Sequence, residues 1–392
     1  MTSLTRVTGV RVFDGEQLLP DRMDVTFGTG GILAVDPAGS AVGGEPTTDI
    51  DGGGATLLPG LIDAHIHLHG RDTLQQLAAF GVTTGLDMAT WPVDKVAALR
   101  DIAGRDGLAD LRSPGLPAIG PAGHHAHFVP AEAVVTSATE AARFVDARIA
   151  EAVDYIKIVA EAPGDGGPDL PALTALVDAA HEHTKKVFAH TATPGAFAMA
   201  LDAGADILTH IPLGPPLDAA TVSRMADNNT IAIPTLTLMD GIASARGVAH
   251  AFAGSRESVA ALHSAGVNVL AGTDANAEPG APAQVAHGTS MHRELEMLVA
   301  AGLTPTEALR AATGRIADLL DLPDRGRIRP GLRSDLLLVG GDPTTAITAT
   351  RDIRAVFIAG TPVHRALGDA AHRSDSSTPS AEPSSRVVQV PE

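Results

Sequence analysis

Short apolar runs that carry one ionisable residue near the carboxyl end recur through the middle of this chain. Each run is followed by an Ala- and Leu-rich stretch typical of a helix, and the residues concerned are Lys157, His190, His210 and Asp274. This alternation is the signature of parallel βαβ units. Because enough such units close on themselves, the sequence predicts an α/β protein with a TIM-like (β/α)8 barrel.

A further apolar run, residues 57–68, contains His65 and His67. Successive strand side chains point to opposite faces, so these two imidazoles share a face and could grip one cation. An isolated pair of this kind is a weak signal. In a parallel barrel, however, the carboxyl ends of the strands converge on one mouth. The sequence therefore predicts one site formed by His65, His67, Lys157, His190, His210 and Asp274.

Two of these candidates have simpler readings when taken singly. Lys157 stands between two isoleucines. It could be a buried lysine that forms an ion pair in the core instead of a residue of a metal site. Asp274 could serve as the N-cap of the segment that follows it. The metal-site hypothesis depends on all six residues lying together.

Residues 59–67 and 271–276 resemble the opening histidine motif and the late aspartate motif of the amidohydrolase superfamily of metal-dependent hydrolases. The resemblance continues through residues 294–309 and 326–336 and covers about residues 1–365. The chain is most similar to the imidazolonepropionase-like and Xaa-Pro dipeptidase-like branch, whose members use a carbamylated lysine. A barrel with a small β-sandwich is the fold that this resemblance implies.

The resemblance also implies two divalent metal ions, with Zn²⁺ the expected metal. Carried over by position, His65, His67 and Asp274 hold one ion, His190 and His210 hold the other, and N6-carboxylated Lys157 bridges them. An unmodified ammonium has no lone pair, whereas a carbamate offers two oxygens. The implied reaction is hydrolysis of an amide-type C–N bond in an N-acyl amino acid, a dipeptide or a lactam-like molecule. Asp274 would move the proton from water to the leaving nitrogen.

A cluster of three histidines in residues 123–127 is the candidate substrate contact. Relatives in this branch carry a glycine–histidine element here that contacts the substrate, and His124 is the nearest match, with His125 and His127 as alternatives. The same relatives often hold the substrate with a tyrosine after the later barrel histidine. The only tyrosine of this chain is Tyr155, before Lys157, so a dipeptide specificity does not follow.

Four other functions remain open at this stage. A mononuclear deaminase would be expected to have an acidic residue soon after a barrel histidine, and neither His190 nor His210 is followed by one. An imidazolone hydrolase would use one metal and no bridging lysine. A lactone, ester or phosphoester hydrolase could use the same binuclear site. A non-catalytic scaffold would be expected to have lost metal ligands.

The composition of the chain limits the kinds of partner and metal ligand that can be expected. With 28 basic and 46 acidic residues the chain has a formal charge of −18, which argues against nucleic acid and anionic membranes as partners. The absence of cysteine leaves histidine, carboxylate and modified lysine as metal ligands. No signal peptide or membrane-spanning run is evident, so we expect a cytoplasmic protein with a small-molecule substrate. A homo-oligomer stays open.

The chain divides into three predicted parts. Short strand-like runs in residues 1–57 and 327–365 predict a β-sandwich built from both ends of the chain. Residues 58–326 would form the barrel, with a capped helical stretch over 303–322. Residues 366–392 have the composition of a disordered tail.

Overall fold

The computed structural model describes residues 4–40 and 48–364, and the predicted tail falls outside them. The fold is α/β. Its strands, in chain order, are β1 (Leu4–Val12), β2 (Met23–Gly28), β3 (Gly31–Pro37), β4 (Thr48–Asp51), β5 (Ala55–Pro59), β6 (Leu61–Ile66), β7 (Val82–Asp87), β8 (Asp110–Arg112), β9 (Ile156–Val159), β10 (Val187–His190), β11 (Ile207–Thr209), β12 (Ile231–Ile233), β13 (Leu336–Gly340), β14 (Ile353–Ile358) and β15 (Thr361–Pro362).

Strands from both ends of the chain form one mixed sheet, here called the terminal sheet. Its order is β15-β14-β13-β5-β1-β2-β3, with β4 paired to β1. Its buried apolar face includes Phe27 and Phe357, whose rings lie edge to face at 4.8 Å. Strands from near both ends of the described residues therefore contribute to a common core. The second layer of a sandwich stays a prediction.

The terminal sheet is continuous with the strand that carries the histidine pair. Only Gly60 separates β5 from β6, and a Cβ at this position would overlap Thr83. Gly60 N also donates a hydrogen bond to Asp335 O at 2.8 Å. One extended segment thus runs from the terminal sheet into the parallel strands, and only glycine fits where it passes Thr83.

The central strands are parallel and form two sheets, β6-β7-β8 and β9-β10-β11-β12. Two segments between the named strands connect these sheets through backbone hydrogen bonds. On one side, Ala118 N donates to Lys157 O at 2.8 Å. On the other side, Leu270 N donates to Ala232 O and Ala64 N donates to Ala271 O, both at 2.9 Å. Two further apolar segments, residues 116–120 and 267–274, pair with the parallel strands through isolated bridges rather than as continuous strands. Pro117 explains the first case in part, because its nitrogen has no hydrogen to donate to a ladder.

Helices follow the central strands and bury their apolar faces against them. In chain order they are α1 (Arg71–Ala79), α2 (Val93–Ile102), α3 (Ala138–Ala150), α4 (Leu170–Glu182), α5 (Pro194–Asp202), α6 (Ala219–Asp227), α7 (Leu236–Ala245), α8 (Phe252–Ser264), α9 (Thr289–Ala300), α10 (Pro305–Ala311) and α11 (Gly314–Leu319). Within the described residues, no helix is long and apolar enough to cross a bilayer.

The helical stretch predicted over 303–322 is two helices, α10 and α11. A capping box formed by Thr304 and Glu307 begins α10. The chain breaks at Thr313, whose φ of −141° is not helical. This break lets Ile316 of α11 pack among the inward-facing residues of the parallel strands, including Ile62 and Phe188. Burial of α11 explains why one continuous helix does not form.

Candidate metal centre

The carboxyl ends of the parallel strands bring the predicted ligands together. His65 lies in β6, with His67 just beyond its end. The segment with Asp274 runs alongside, because Asp274 N donates a hydrogen bond to His65 O at 2.8 Å. Asp274 has a φ of 55°, a conformation that aspartate tolerates better than most residues. His65 and Asp274 are both buried.

Three imidazoles face the Asp274 carboxylate. His67 Nε2 lies 3.0 Å and His65 Nε2 3.4 Å from Asp274 Oδ1, and His210 Nδ1 lies 3.6 Å from Oδ2. Ligand atoms around a tetrahedral zinc ion are about 3.4 Å apart. The ligand atoms of His65, His210 and Asp274 all lie within 4.8 Å of one another. These separations suit a shared cation.

The same carboxylate has an unsatisfied atom. Asp274 Oδ1 is buried, and it has no hydrogen bond of good geometry from any described residue. A buried carboxylate oxygen without a donor is costly. A cation held between Asp274 and the imidazoles of His65 and His67 would remove this cost, so these residues fit a metal ion.

A second pair of nitrogens lies beside the first group. His210 Nε2 is 3.0 Å from His190 Nδ1, and the ring centroids are 4.6 Å apart. The other ring nitrogen of His210, Nδ1, lies 2.7 Å from Thr235 Oγ1. His190 and His210 thus present nitrogens to each other at a distance that two ligands of one ion would have.

Lys157 is buried in β9 and points into the same cluster. Its side chain is 4% exposed, and Nζ donates a hydrogen bond to Thr209 Oγ1 at 3.2 Å. Burial lowers the pKa of Lys157 to about 7, against the opposing effect of the Asp274 and Asp87 carboxylates. A substantial fraction of this amine is therefore unprotonated near neutral pH, which is the form that can react as a nucleophile.

Burial keeps most of the imidazoles neutral. It lowers the pKa of His65 and His190 well below the usual value and that of His210 to about 4. Burial also lowers the pKa of His67, but the Asp274 carboxylate, 3.0 Å from His67 Nε2, outweighs this effect and raises it. Neutral imidazoles have the free lone pair that a metal ligand needs.

Asp63 fixes the two metal-facing segments to each other. Its carboxylate accepts hydrogen bonds from His65 N at 3.2 Å, Thr273 N at 3.0 Å and Thr273 Oγ1 at 2.7 Å. Burial raises the pKa of Asp63 to about 7, although the hydrogen bonds from Thr273 and His65 lower it. The sequence motif assigns Asp63 no role, although its position two residues before His65 places it at the same strand end.

The histidine loop, residues 123–127, presents His125 rather than His124 to the cluster. The His125 ring lies 4.7 Å from that of His190, and its Nδ1 is buried without a hydrogen bond from the described residues. His124 and His127 are exposed and contact Phe128. Glu161 Oε1 anchors the loop by accepting a hydrogen bond from His124 N at 2.8 Å. The predicted substrate contact of His124 stays a prediction that this placement does not favour.

Two histidines after the last parallel segment are buried, although the sequence assigns them no role. His287 is 4% exposed and its Nε2 lies 2.8 Å from His67 O. His292, in α9, lies with its Nε2 3.1 Å from Phe80 O. His287 therefore supports the backbone that carries His67. No sequence signal distinguished it from a surface histidine.

Residues 56–363 match the Amidohydrolase family, and this range contains all six predicted ligands. The chain belongs to the amidohydrolase family. Members of this family generally use divalent metal ions, and a hydrolase acting on C–N bonds is the class of enzyme that the match supports. The metal-facing cluster described above is the candidate centre of this amidohydrolase.

Relatives of this amidohydrolase include an uncharacterized protein of Mycobacterium bovis, 29% identical over 343 residues that cover 80% of this chain and 85% of that protein. Imidazolonepropionase of Cereibacter sphaeroides is 37% identical over 126 residues, 31% of this chain and 27% of that enzyme.

Two solved structures share the fold of this amidohydrolase. A Xaa-Pro dipeptidase with bound methionine matches with a TM-score of 0.77 at 22% identity, over 92% of this chain and 99% of that one. Ochratoxinase of A. niger matches with a TM-score of 0.74 at 19% identity, over 92% and 96%. The predicted place in the imidazolonepropionase-like and Xaa-Pro dipeptidase-like branch is confirmed.

Proposed function

We propose that this protein hydrolyses an amide-type C–N bond of a small molecule at a binuclear metal site. The observation that carries the proposal is that the Asp274 carboxylate lies within 3.6 Å of ring nitrogens of His65, His67 and His210. His190 lies beside His210, and Lys157 is buried on the neighbouring strand. An N-acyl amino acid, a dipeptide or a lactam-like compound is the proposed substrate class. The Xaa-Pro dipeptidase that shares this fold suggests the class.

The proposed ligand sets follow the two groups of the cluster. His65, His67 and Asp274 would hold one ion, since the carboxylate lies 3.0 to 3.4 Å from both ring nitrogens. His190 and His210 would hold the other, with Zn²⁺ as the proposed metal for both. Lys157, N6-carboxylated, would lie between them. Its burial and lowered pKa support a reactive neutral amine at this position.

When bound, the metal ions supply Lewis acidity toward the scissile carbonyl and the attacking water. Asp274 is the proposed acid and base: a carboxylate oxygen takes the proton from water and delivers it to the leaving nitrogen. His125 is the proposed contact for the substrate carbonyl, because its unpaired, buried Nδ1 lies beside His190. This proposal replaces His124, which the sequence favoured.

We further propose that the parallel strands of residues 58–326 close into a (β/α)8 barrel. The backbone hydrogen bonds that join the two parallel sheets support closure. Residues 1–57 and 327–365 would form the β-sandwich, and the predicted tail of residues 366–392 lies outside the described residues. A cytoplasmic location and a small-molecule substrate stay predictions. Whether the chain forms a homo-oligomer stays open.

A mononuclear hydrolase of an imidazolone-like ring is the second candidate. It is favoured by the compact group of His65, His210 and Asp274, whose ligand atoms would suit a single ion. The local identity to imidazolonepropionase points the same way. In that case Lys157 would be unmodified. Lactone, ester and phosphoester hydrolysis on the binuclear site, or a scaffold without catalysis, are the remaining alternatives.

The metal content per chain, measured by elemental mass spectrometry on protein purified without chelator, separates these functions. About two ions per chain support the binuclear amidohydrolase. One ion favours the mononuclear candidate, and none after metal supplementation favours a scaffold. A panel of amides, lactams, lactones and phosphoesters then identifies the bond cleaved. Asp274→Asn should retain some metal yet lose turnover, and an active variant would contradict the proton-transfer role.

A further inference from the structure

Glu294 is a buried carboxylate to which the proposed function assigns no role. It lies in α9, which follows Asp274, the last of the proposed metal ligands in the sequence. Its side chain is fully buried. Oε1 accepts a hydrogen bond from Leu236 N at 2.9 Å, and Oε2 accepts from Thr237 N at 2.7 Å and Thr237 Oγ1 at 2.8 Å. Leu236 and Thr237 form the first turn of α7. A residue of one helix thus satisfies the free N–H groups of another.

The residue that precedes α7 does not cap it. Five other helices begin with an extended residue whose side chain accepts a hydrogen bond from the N–H three positions later, namely Ser137, Asp169, Thr193, Asp218 and Thr304. Thr235 occupies the equivalent position but makes no such bond. Its φ and ψ are both 48°, a left-handed conformation that is rare for a β-branched residue.

The hydroxyl of Thr235 is used elsewhere. Thr235 Oγ1 lies 2.7 Å from His210 Nδ1. When Nδ1 carries the hydrogen and donates it to Thr235, the ring lone pair is at Nε2, which faces His190 Nδ1 at 3.0 Å. The bond made by one ring nitrogen fixes both the tautomer and the orientation that the other presents.

We propose that Glu294 is a positioning residue for His210: it caps α7 in place of Thr235 and so leaves the Thr235 hydroxyl to hold the His210 ring. When ionised, the carboxylate also places negative charge at the positive end of the α7 dipole. Without Glu294, Thr235 would be free to adopt an extended conformation and cap its own helix. The inference rests on the proposed function in one respect, that His210 is a metal ligand.

The test measures the dissociation constant of Zn²⁺ for metal-free protein by competition with a chelator. Glu294→Gln and Thr235→Val should each weaken Zn²⁺ binding about 10- to 100-fold. The double variant should bind Zn²⁺ no more weakly than the single variant with the lower affinity. The reason is that both substitutions interrupt the same series of contacts, from Glu294 through Thr235 to His210. The matched control is Glu296→Gln, a partly exposed carboxylate of the same helix that pairs with Arg351 at 2.6 Å, and it should leave binding unchanged.

A second readout does not require metal. Nuclear magnetic resonance of the histidine ring nitrogens reports the tautomer of His210, assigned by the signal that His210→Gln removes. Glu294→Gln and Thr235→Val should both change this signal in metal-free protein, whereas Thr235→Ser, which keeps the hydroxyl, should preserve it. Glu294→Asp, one methylene shorter, replaces Glu294→Gln if the latter does not fold.

Two results would overturn the inference. The first is native Zn²⁺ affinity and a native His210 signal in either Glu294 variant. The second is a double variant whose loss equals the product of the single losses. A wild-type protein that binds no Zn²⁺ would instead overturn the proposed function, and the His210 signal would still decide whether Glu294 positions the ring.

Discussion

Replacing Arg325 with methionine should destabilise the junction between the terminal sheet and the parallel strands. The Arg325 side chain is 4% exposed, and Nη1 donates hydrogen bonds to Asp110 Oδ2 at 2.6 Å and Thr84 Oγ1 at 2.9 Å. The same nitrogen lies 4.0 Å from Asp335 Oδ2. Asp110 and Thr84 belong to parallel strands, whereas Asp335 directly precedes β13 of the terminal sheet. One guanidinium therefore joins the two parts.

The expected loss follows from what the substitution leaves behind. Removing one member of a buried ion pair typically costs about 3–5 kcal/mol, because the partner stays buried without compensation. Asp110 keeps Arg112 at 3.2 Å and Asp335 keeps Arg333 at 2.8 Å, so the charges are not wholly unpaired. We therefore expect a decrease of about 3 kcal/mol in the free energy of unfolding, the low end of that range.

Urea unfolding of the metal-free protein, followed by fluorescence of the single tryptophan, Trp91, and by far-ultraviolet circular dichroism, measures this decrease. The control is Arg224→Met, which removes an exposed pair with Asp202 of the same 2.6 Å length and should cost less than about 1 kcal/mol. Adding Asp110→Asn to Arg325→Met should recover part of the loss. Equal losses in the two methionine variants would refute the reasoning.

Three further outcomes are expected. Lys157→Ala should lose most activity, with partial rescue by a short carboxylate plus metal, and near-native turnover would contradict a bridging carbamate. His125→Gln should lower kcat/KM about 100-fold in steady-state assays while His124→Gln changes it little, and similar effects would contradict the placement of the loop. Burial raises the pKa of Glu294 from 4.5 to about 7. As the pH rises from about 4.5 to 7, the free energy of unfolding of the metal-free wild type should therefore fall by up to about 3 kcal/mol relative to that of Glu294→Gln. Parallel curves of stability against pH for the two proteins would contradict this.

The pattern of apolar runs located most parallel strands because each strand is buried on both faces. The runs ending at His190 and His210 correspond to β10 and β11 within two residues. The pattern failed at 116–120 and 267–274, where apolar composition is present but ladder pairing is reduced to bridges. Burial explains the composition of such segments, whereas pairing depends on backbone geometry that the sequence does not display.

The site shows a similar division. Position at a strand end predicted that these residues lie together, because parallel strands share one direction. The structure brings the Asp274 carboxylate within 3.6 Å of ring nitrogens of His65, His67 and His210. Position alone could not choose among His124, His125 and His127, since in the tight turn of residues 124–127 successive side chains point in different directions. Glu294 did carry a signal, a carboxylate within the buried stripe of α9. Its partners in α7 lie 57 and 58 residues away and could not be inferred.

The unbroken path from β5 through Gly60 into β6 has a consequence for protein engineering. Because the strand bearing His65 directly continues β5 of the terminal sheet, a minimised catalytic core cannot be obtained by trimming this sheet away as an accessory. Circular permutation is better attempted in exposed connections remote from this path. Libraries of variants in the exposed residues of the terminal sheet offer a way to select for higher stability while the residues around Asp274 stay unchanged.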